Sequence, residues 1–269
     1  MLLYHTFPDL RWLKKQAETS FVGAGWPNVL LNVKSGVAFR DNIPGPLSFF
    51  SNVSGESFVS VNGRTSSIKN DYFFISNNTQ RYTLEIKSAE TFNVHFGVDG
   101  QDVGFYNKLY PKDDFVRAIQ RQLLQSISTL EKEELLTMLY AYLLKVNRGE
   151  KSKVDKIAAA KVSTREEVLR RLHLATDYIY NRYASDVSLE ELSKVSMLSK
   201  FHFLRAFRQA FGIPPHRFLN QVRISKAKEL LKVKSNVALV GRQVGITESS
   251  SFSRLFRNET GIYPTAFQK

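Results

Sequence analysis

The sequence predicts an α+β chain of more than one domain, strand-rich in its first part and all-helical in its last. Three observations carry this. Residues 1 to about 110 hold short aromatic and β-branched runs separated by turn residues. From Asp113 the apolar period changes from two to 3.6. In the final third a motif occurs twice, Phe203-Leu204-Arg205-Ala206-Phe207-Arg208-Gln209-Ala210-Phe211-Gly212-Ile213-Pro214-Pro215 and Phe252-Ser253-Arg254-Leu255-Phe256-Arg257-Asn258-Glu259-Thr260-Gly261-Ile262-Tyr263-Pro264. Both read F-x-R-x-F-R-x-x-x-G-I-x-P at a constant offset of 49, which marks a duplicated structural unit.

The predicted strands include Val29–Val33, Phe58–Val61, Tyr72–Ile75 and Phe92–Phe96. Asp41 to Pro46, Asn62-Gly63, Asn77-Asn78 and Asp99-Gly100 supply the turns between them. Many short strands at such spacing indicate a sandwich or barrel. Phe49, Phe50, Phe73, Phe74, Phe92 and Phe96 read as its core, with a ligand-cavity lining as the alternative. A helical hairpin follows. Phe115, Ile119, Leu123, Ile127 and Leu130 form one stripe and Leu135, Leu136, Leu139, Tyr140 and Leu143 another, with Glu131-Lys132-Glu133-Glu134 as the polar turn. This hairpin has two readings of equal weight, packing against the strands or dimerisation. Asn147 to Lys161 is polar and Lys-rich and reads as an interdomain linker. Ser163-Thr164-Arg165-Glu166 is a capping-box pattern that opens the last domain. The predicted organisation is thus 1–110, a strand domain for sensing or assembly; 111–148, the hairpin; 149–163, the linker; and 164–269, the repeat-bearing domain.

Each motif copy completes a helix-turn-helix. The paired Phe residues stand at i and i+4 on one helix face, while the arginines lie on roughly the opposite face. Gly212 and Gly261 close the two helices, each with a proline just beyond. Ahead of the first copy, Ser188-Leu189-Glu190-Glu191 is a capping box, Met197-Leu198 turns, and Ser199 caps the motif helix. Ahead of the second, Ser235-Asn236 caps a helix and Gly245-Ile246-Thr247 turns. Two short helices joined by such a turn form the arrangement that lays its second helix in the DNA major groove. Pro215 to Leu231 reads as one long helix that holds the units at fixed separation.

Charge points the same way. The chain carries a formal +13 with a pI near 9.8, which favours an anionic partner. From Arg165 onward 18 Lys and Arg stand against 9 Asp and Glu, an excess of +9, while the preceding 164 residues carry +4. There are no cysteines, hence no disulfide framework and no thiolate metal site. No apolar run approaches the roughly 20 residues of a membrane span. Met1-Leu2-Leu3-Tyr4-His5 lacks a basic n-region, so a cytoplasmic protein is expected.

Catalysis has little support in the sequence. The strand region holds only His5 and His95 and no H-x-H; His95, in an alternating strand, reads as a core or rim histidine, and no metal site is expected. No Cys nucleophile, G-x-S-x-G elbow or phosphate-cradling Gly loop is present, so no catalytic residue and no cofactor are assigned.

The C-terminal hundred or so residues resemble the double helix-turn-helix domain of AraC/XylS-type transcriptional regulators. The match rests on Leu189-Glu190-Glu191-Leu192, Ser199-Lys200-Phe201-His202-Phe203, Phe207, Gly212, the Arg223…Ala227…Leu230-Leu231 helix, Gly245, Phe252-Ser253-Arg254, Phe256, Gly261 and Pro264. The chain departs from the pattern at Met197, where a small residue or Gly is usual, at Gly241, where Ala is, and at Ile246, where an aromatic is. Asn62-Gly63 and Asn70 to Asn77 look like the cupin-like sensory barrel that often precedes this domain. The resemblance implies that Phe201, Leu204 and Arg205, and Ser250, Ser251 and Arg254, read bases. Helical angles place Arg208 and Arg257 outward too, as phosphate contacts, joined by Ser199 and Lys200.

The expected function is a sequence-specific transcription regulator, with activation as its sign, that reads two adjacent major-groove segments of double-stranded DNA. The resemblance further implies RNA polymerase as a partner and allows a small-molecule effector and a homodimer. Two rivals remain: a non-catalytic small-molecule-binding cupin module whose helical repeat contacts protein, and a cupin-type enzyme.

Overall fold

A computed structural model of the chain describes residues 2–4, 29–34, 37–40, 47–61, 63–77, 82–96, 104–125, 128–233 and 236–268; up to residue 40 the backbone alone is described. His5, the Asp41–Pro46 turn, Asn78, Asp99-Gly100 and Ile127 lie outside the described residues. The chain divides into two compact units, Met1–Glu150 and Lys151–Lys269.

In the first unit, β1 (Leu2–Tyr4), β2 (Val29–Lys34), β3 (Val37–Arg40), β4 (Leu47–Val61), β5 (Arg64–Lys69), β6 (Tyr72–Ser76), β7 (Tyr82–Phe96) and β8 (Leu109–Pro111) join in one sheet. Its order is β1-β2-β7-β4-β6-β8, with β3 on β7 and β5 on β4, and every pairing except β1–β2 is antiparallel. The strands expected at Phe58–Val61 and Phe92–Phe96 are the ends of two 15-residue strands that pair along their length. Ser54-Gly55-Glu56 hides this continuity in the sequence. There the register shifts twice, between Asn52 and Ser54 and between Glu56 and Ser57, and Gly55 takes φ 75°. Such bulges bend a strand without ending it. Of the expected Asn62-Gly63 turn, Asn62 lies outside the described residues; Gly63, at φ 76°, stands between β4 and β5, with Val61 opposite Arg64.

One sheet face carries Leu47, Phe49, Phe73, Ile75, Phe92 and Val94 into a core shared with α1 (Asp114–Gln125) and α2 (Thr129–Lys151). The helices contribute Val116, Ile119, Leu123, Leu136, Leu139 and Leu143. Leu139 and Leu143 therefore stabilise the unit itself, which favours packing over dimerisation as the role of that stripe. Two details of the hairpin differ from expectation. Glu131 to Glu134 are not the turn but the opening of α2, because Ser128 and Glu131 form a reciprocal capping box: the Glu131 amide donates to Ser128 Oγ (3.1 Å) and the Ser128 amide to Glu131 Oε2 (3.3 Å). Leu130, assigned to the first stripe, lies in that opening turn and is 71% exposed.

The other sheet face is mixed. Period two places Ser48, Phe50 and Asn52 of β4 there beside Asn93 and His95 of β7. His95 is buried, shares a 2.7 Å hydrogen bond between Nδ1 and Ser48 Oγ, and packs edge-on to Phe50. Burial pushes its pKa down from 6.5 to about 4, so the ring is neutral at pH 7. Among the described residues no three His, Asp or Glu side chains gather as a metal site.

The polar tract from Asn147 begins as helix. α2 runs to Lys151 with Asn147 and Glu150 buried, and Glu150 pairs with Lys108 at 3.1 Å. A 3-10 turn at Val154–Lys156 follows, with Val154 and Ile157 buried. α3 (Val162–Arg182) then starts behind Lys161 with no side-chain cap. The capping box expected at Ser163–Glu166 does not form, since those residues already lie in the helix. The burial of Ile157 and a 3.2 Å bond from the Ala158 amide to Gln209 Oε1 fix the approach to α3 instead.

The rest of the second unit is helical: α4 (Leu189–Val195), α5 (Lys200–Phe211), α6 (Pro215–Leu231), α7 (Val237–Gln243), α8 (Ser249–Thr260) and α9 (Pro264–Phe267). Two small cores serve it. In the first, Phe203 and Phe207 of α5 are fully buried, and Phe207 meets Phe211 and Phe218. In the second, Phe252 and Phe256 of α8 sit among Ile224, Ala227, Leu231, Val240 and Val244.

Candidate nucleic-acid interface

The duplicated motif builds the same backbone twice. In the first helix-turn-helix unit the Met197 amide bonds the Lys194 carbonyl and the Leu198 amide that of Ser193; in the second, Gly245 bonds Arg242 and Ile246 bonds Gly241. Met197 and Gly245 thus occupy one position, and both are left-handed, at φ 53° and 80°. That conformation is open to glycine and strained for methionine. Gly212 and Gly261 end α5 and α8 at φ 75° and 82°, their amides bonding Arg208 and Arg257. The capping box at Ser188 and Glu191 forms in full, Ser199 Oγ accepts from the His202 amide, and Asn236 caps α7 through the Leu239 amide.

The departure at Gly241 has a steric cause. A Cβ there would stand 3.0 Å from Cγ of Phe252, so the bare helix face seats that ring. The two helix-turn-helix units meet at one loop. Arg223 of α6 donates from Nε to the Tyr183 carbonyl (2.8 Å) and from Nη2 to that of Ser185 (2.9 Å). Between them, the Ala184 carbonyl lies 2.6 Å from where a Cβ on Gly245 would be. The long helix clamps the loop after α3, and the second unit's turn rests against it.

The residues assigned to DNA lie on the outer sides of α5 and α8. Phe201 is 78% and Leu204 38% exposed, and Lys200, Arg205, Arg208, Ser250, Arg254 and Arg257 are exposed as well, while the Phe rails behind them are buried. Ser251 is half-buried. Several have partners within the protein. Lys200 Nζ lies 3.2 Å from Glu190 Oε2, and Lys194 Nζ lies 3.1 Å from Oε1 of the same carboxylate. Hydrogen bonds from Lys194 and then Lys200 hold the Glu190 carboxyl below its usual range. Ser250 Oγ and Ser251 Oγ each donate to Glu248, one to each carboxylate oxygen, both at 2.6 Å, and these bonds lower its pKa. Arg254 Nη2 approaches Ser251 Oγ at 3.5 Å. Arg257 donates to the Tyr263 hydroxyl (2.7 Å) with its guanidinium 4.8 Å above that ring.

Three residues without an assigned role in the sequence reading now have one: Glu248, which collects the serine hydroxyls; Tyr263, which holds Arg257; and Arg223, the clamp. The offset of 49 pointed to the first two, since it pairs Glu248 with the cap Ser199 and Tyr263 with Pro214. Nothing local marks Arg223 as a clamp, because its acceptors are about 40 residues away.

Residues 192–269 match the family described as "Helix-turn-helix domain". The probable transcriptional regulator LumQ of Photobacterium leiognathi is 32% identical over 106 residues, which are 38% of this chain and 43% of LumQ. The HTH-type transcriptional activator RhaS of Escherichia coli is 30% identical over 100 residues, 37% of this chain and 36% of RhaS. The chain thus spans less than half the length of these relatives. Among solved structures, the C-terminal domain of AraT, a response regulator from Geobacillus stearothermophilus, aligns over 36% of this chain and 83% of that one, at 25% identity and a TM-score of 0.35. Residues 192–269 of this chain are a helix-turn-helix domain of that family.

Proposed function

We propose that the chain is a sequence-specific DNA-binding transcription regulator that reads two adjacent major-groove segments with α5 and α8. The observation that carries this is the duplicated helix-turn-helix backbone, each copy with an outward helix of exposed side chains, joined by one continuous helix. α6 has 17 residues and is about 25 Å long at 1.5 Å per residue. Together with the offsets of α5 and α8 from its ends, that length suits neighbouring grooves about 34 Å apart. Phe201, Leu204 and Arg205, and Ser250, Ser251 and Arg254, are the base readers. Ser199, Lys200, Arg208 and Arg257 face phosphates. Activation through RNA polymerase is the sign of regulation, in line with the activator RhaS among the relatives, and the cytoplasm is the site of action.

Footprinting with the full chain on a selected duplex tests this. Two protected segments about one helical turn apart are expected, with affinity that falls steeply as salt rises. Salt-independent binding, a palindromic site or protection of a single groove would overturn it.

The strand-rich unit, Met1–Glu150, fits a sensing role. His95 Nε2 and Ser76 Oγ are buried on the mixed sheet face with no hydrogen-bond partner among the described residues. Buried polar atoms left in this way suit a small polar effector. Self-association, if the hairpin carries it, uses the outward sides of α1 and α2, because Leu139 and Leu143 are buried.

A further inference from the structure

The two reading helices open differently. Position 199 of the first unit corresponds to 248 of the second, so a neutral, backbone-capping serine is matched by a carboxylate. The Glu248 side chain makes no cap bond to the α8 backbone. Its oxygens are turned along the helix to Ser250 and Ser251, the two residues expected to face DNA. An ionised carboxylate has lone pairs only, so both serines must give it their hydroxyl protons. What they then present outward is also lone pairs. Arg254, one turn further along, leans toward Ser251 and supplies the donors of this helix. The opening of α8 is therefore an acceptor surface in front of a donor, whereas the opening of α5 offers the Phe201 ring and the Ser199 hydroxyl.

We propose that Glu248 determines sequence specificity in the second unit: its carboxylate, with Ser250 and Ser251 set by it as acceptors, reads an exocyclic amine in the major groove, cytosine N4 or adenine N6, next to the base that Arg254 contacts. Those amines are the hydrogen-bond donors of the major-groove edge, and a carboxylate is matched to them. The same charge repels phosphates, so the opening of α8 adds no grip on random duplex, and non-specific grip falls to Lys200, Arg208 and Arg257. This assignment rests on the DNA-binding reading above.

The test uses single-atom-group changes in the DNA. In a site selected by the wild-type chain, each adenine of the second segment is replaced in turn by purine and each cytosine by 2-pyrimidinone, which removes one amine at a time. One such deletion is expected to weaken wild-type binding about tenfold. The variants Glu248→Ser, which installs the cap residue of the first unit, and Glu248→Gln, which keeps the shape and removes the charge, should be indifferent to that same deletion. Both should bind random duplex at least as well as wild type does, which also reports that they fold. If the variants lose as much as wild type on losing that amine, or if no single amine in the second segment matters to wild type, the assignment to Glu248 is wrong while the DNA-binding reading stands. Absence of salt-dependent binding by the wild-type chain would remove both.

Discussion

Gly245→Ala isolates the joint between the two helix-turn-helix units. The residue sits at φ 80°, and an added Cβ would stand 2.6 Å from the Ala184 carbonyl oxygen and 2.9 Å from its carbon. Two costs combine. An L-residue in the left-handed region costs about 1–2 kcal/mol. The overlap is with backbone rather than with the end of a flexible side chain, and forcing an extra carbon into such a contact costs about 1–3 kcal/mol. Relief by loop movement is opposed because Arg223 holds the carbonyls on both sides of Ala184, those of Tyr183 and Ser185. The expected loss is therefore about 2–5 kcal/mol, concentrated in α7 and α8. Urea unfolding of the full chain gives the size, and hydrogen exchange read by mass spectrometry gives the place. Peptides from α7 and α8 should exchange faster, while those from α4 and α5 change little. A loss below about 0.5 kcal/mol, the range of an ordinary surface substitution, would show that the joint yields and that the clamp argument fails.

The mirrored substitution should act in the opposite direction. Met197→Gly relieves the left-handed methionine of the first turn and should stabilise α4 and α5 by roughly 1 kcal/mol; no slowing of exchange there would count against strain at this position. Arg205→Ala should cost about 1–3 kcal/mol on the selected duplex and relax one base preference, while Lys200→Ala, which also breaks an exposed ion pair with Glu190, should weaken selected and random duplexes alike. Competition titrations with the two duplexes separate these outcomes. The strand-rich unit should lose stability in mild acid through His95. Its folded pKa, about 4, lies below the unfolded value of 6.5, so the unfolded chain binds a proton first and stability falls as pH drops between those values, by about 3 kcal/mol at the limit. His95→Asn should flatten that dependence between pH 6.5 and 4, and an unchanged slope in calorimetry would mean that other groups control it.

Where the physics is local, sequence and structure agree closely. Amphipathic period and capping decide a helix within a few turns. Thus Ser188 with Glu191, Ser199, Asn236, Gly212, Gly261 and the run from Pro215 to Leu231 were readable in advance, and the repeat tied them into two units. A helix also fixes which side chains share a face, so the burial of Phe203, Phe207, Phe252 and Phe256 and the exposure of the opposite rail followed from spacing alone. Strand ends were harder. The long β4 and β7 exist because each pairs with the other through bulges, and the serines, Gly55 and Glu56 in β4 carry no local signal of a strand. The start of α2 was misplaced for a related reason: the charged run Glu131–Glu134 suits either a turn or a solvated helix face, and the capping bond at Ser128 decided between them.

Only the tertiary structure could settle what depends on atoms distant along the chain. The hairpin leucines Leu139 and Leu143 would suit either a partner or a sheet, and contact with Phe49, Phe92 and their neighbours chose the sheet. Gly241 looks like a weak point in a helix until Phe252 is seen resting on it, and Gly245 looks like an ordinary turn glycine until Ala184 closes against it. The outward faces of α5 and α8 were set by sequence, but the hydrogen bonds across them were not. Ser250 and Ser251, read as base contacts, give their protons to Glu248, and Arg257, read as a phosphate contact, lies against Tyr263. Periodicity fixes direction from the axis of one helix, whereas the partner of a polar group is fixed by whatever the fold brings within three ångströms of it.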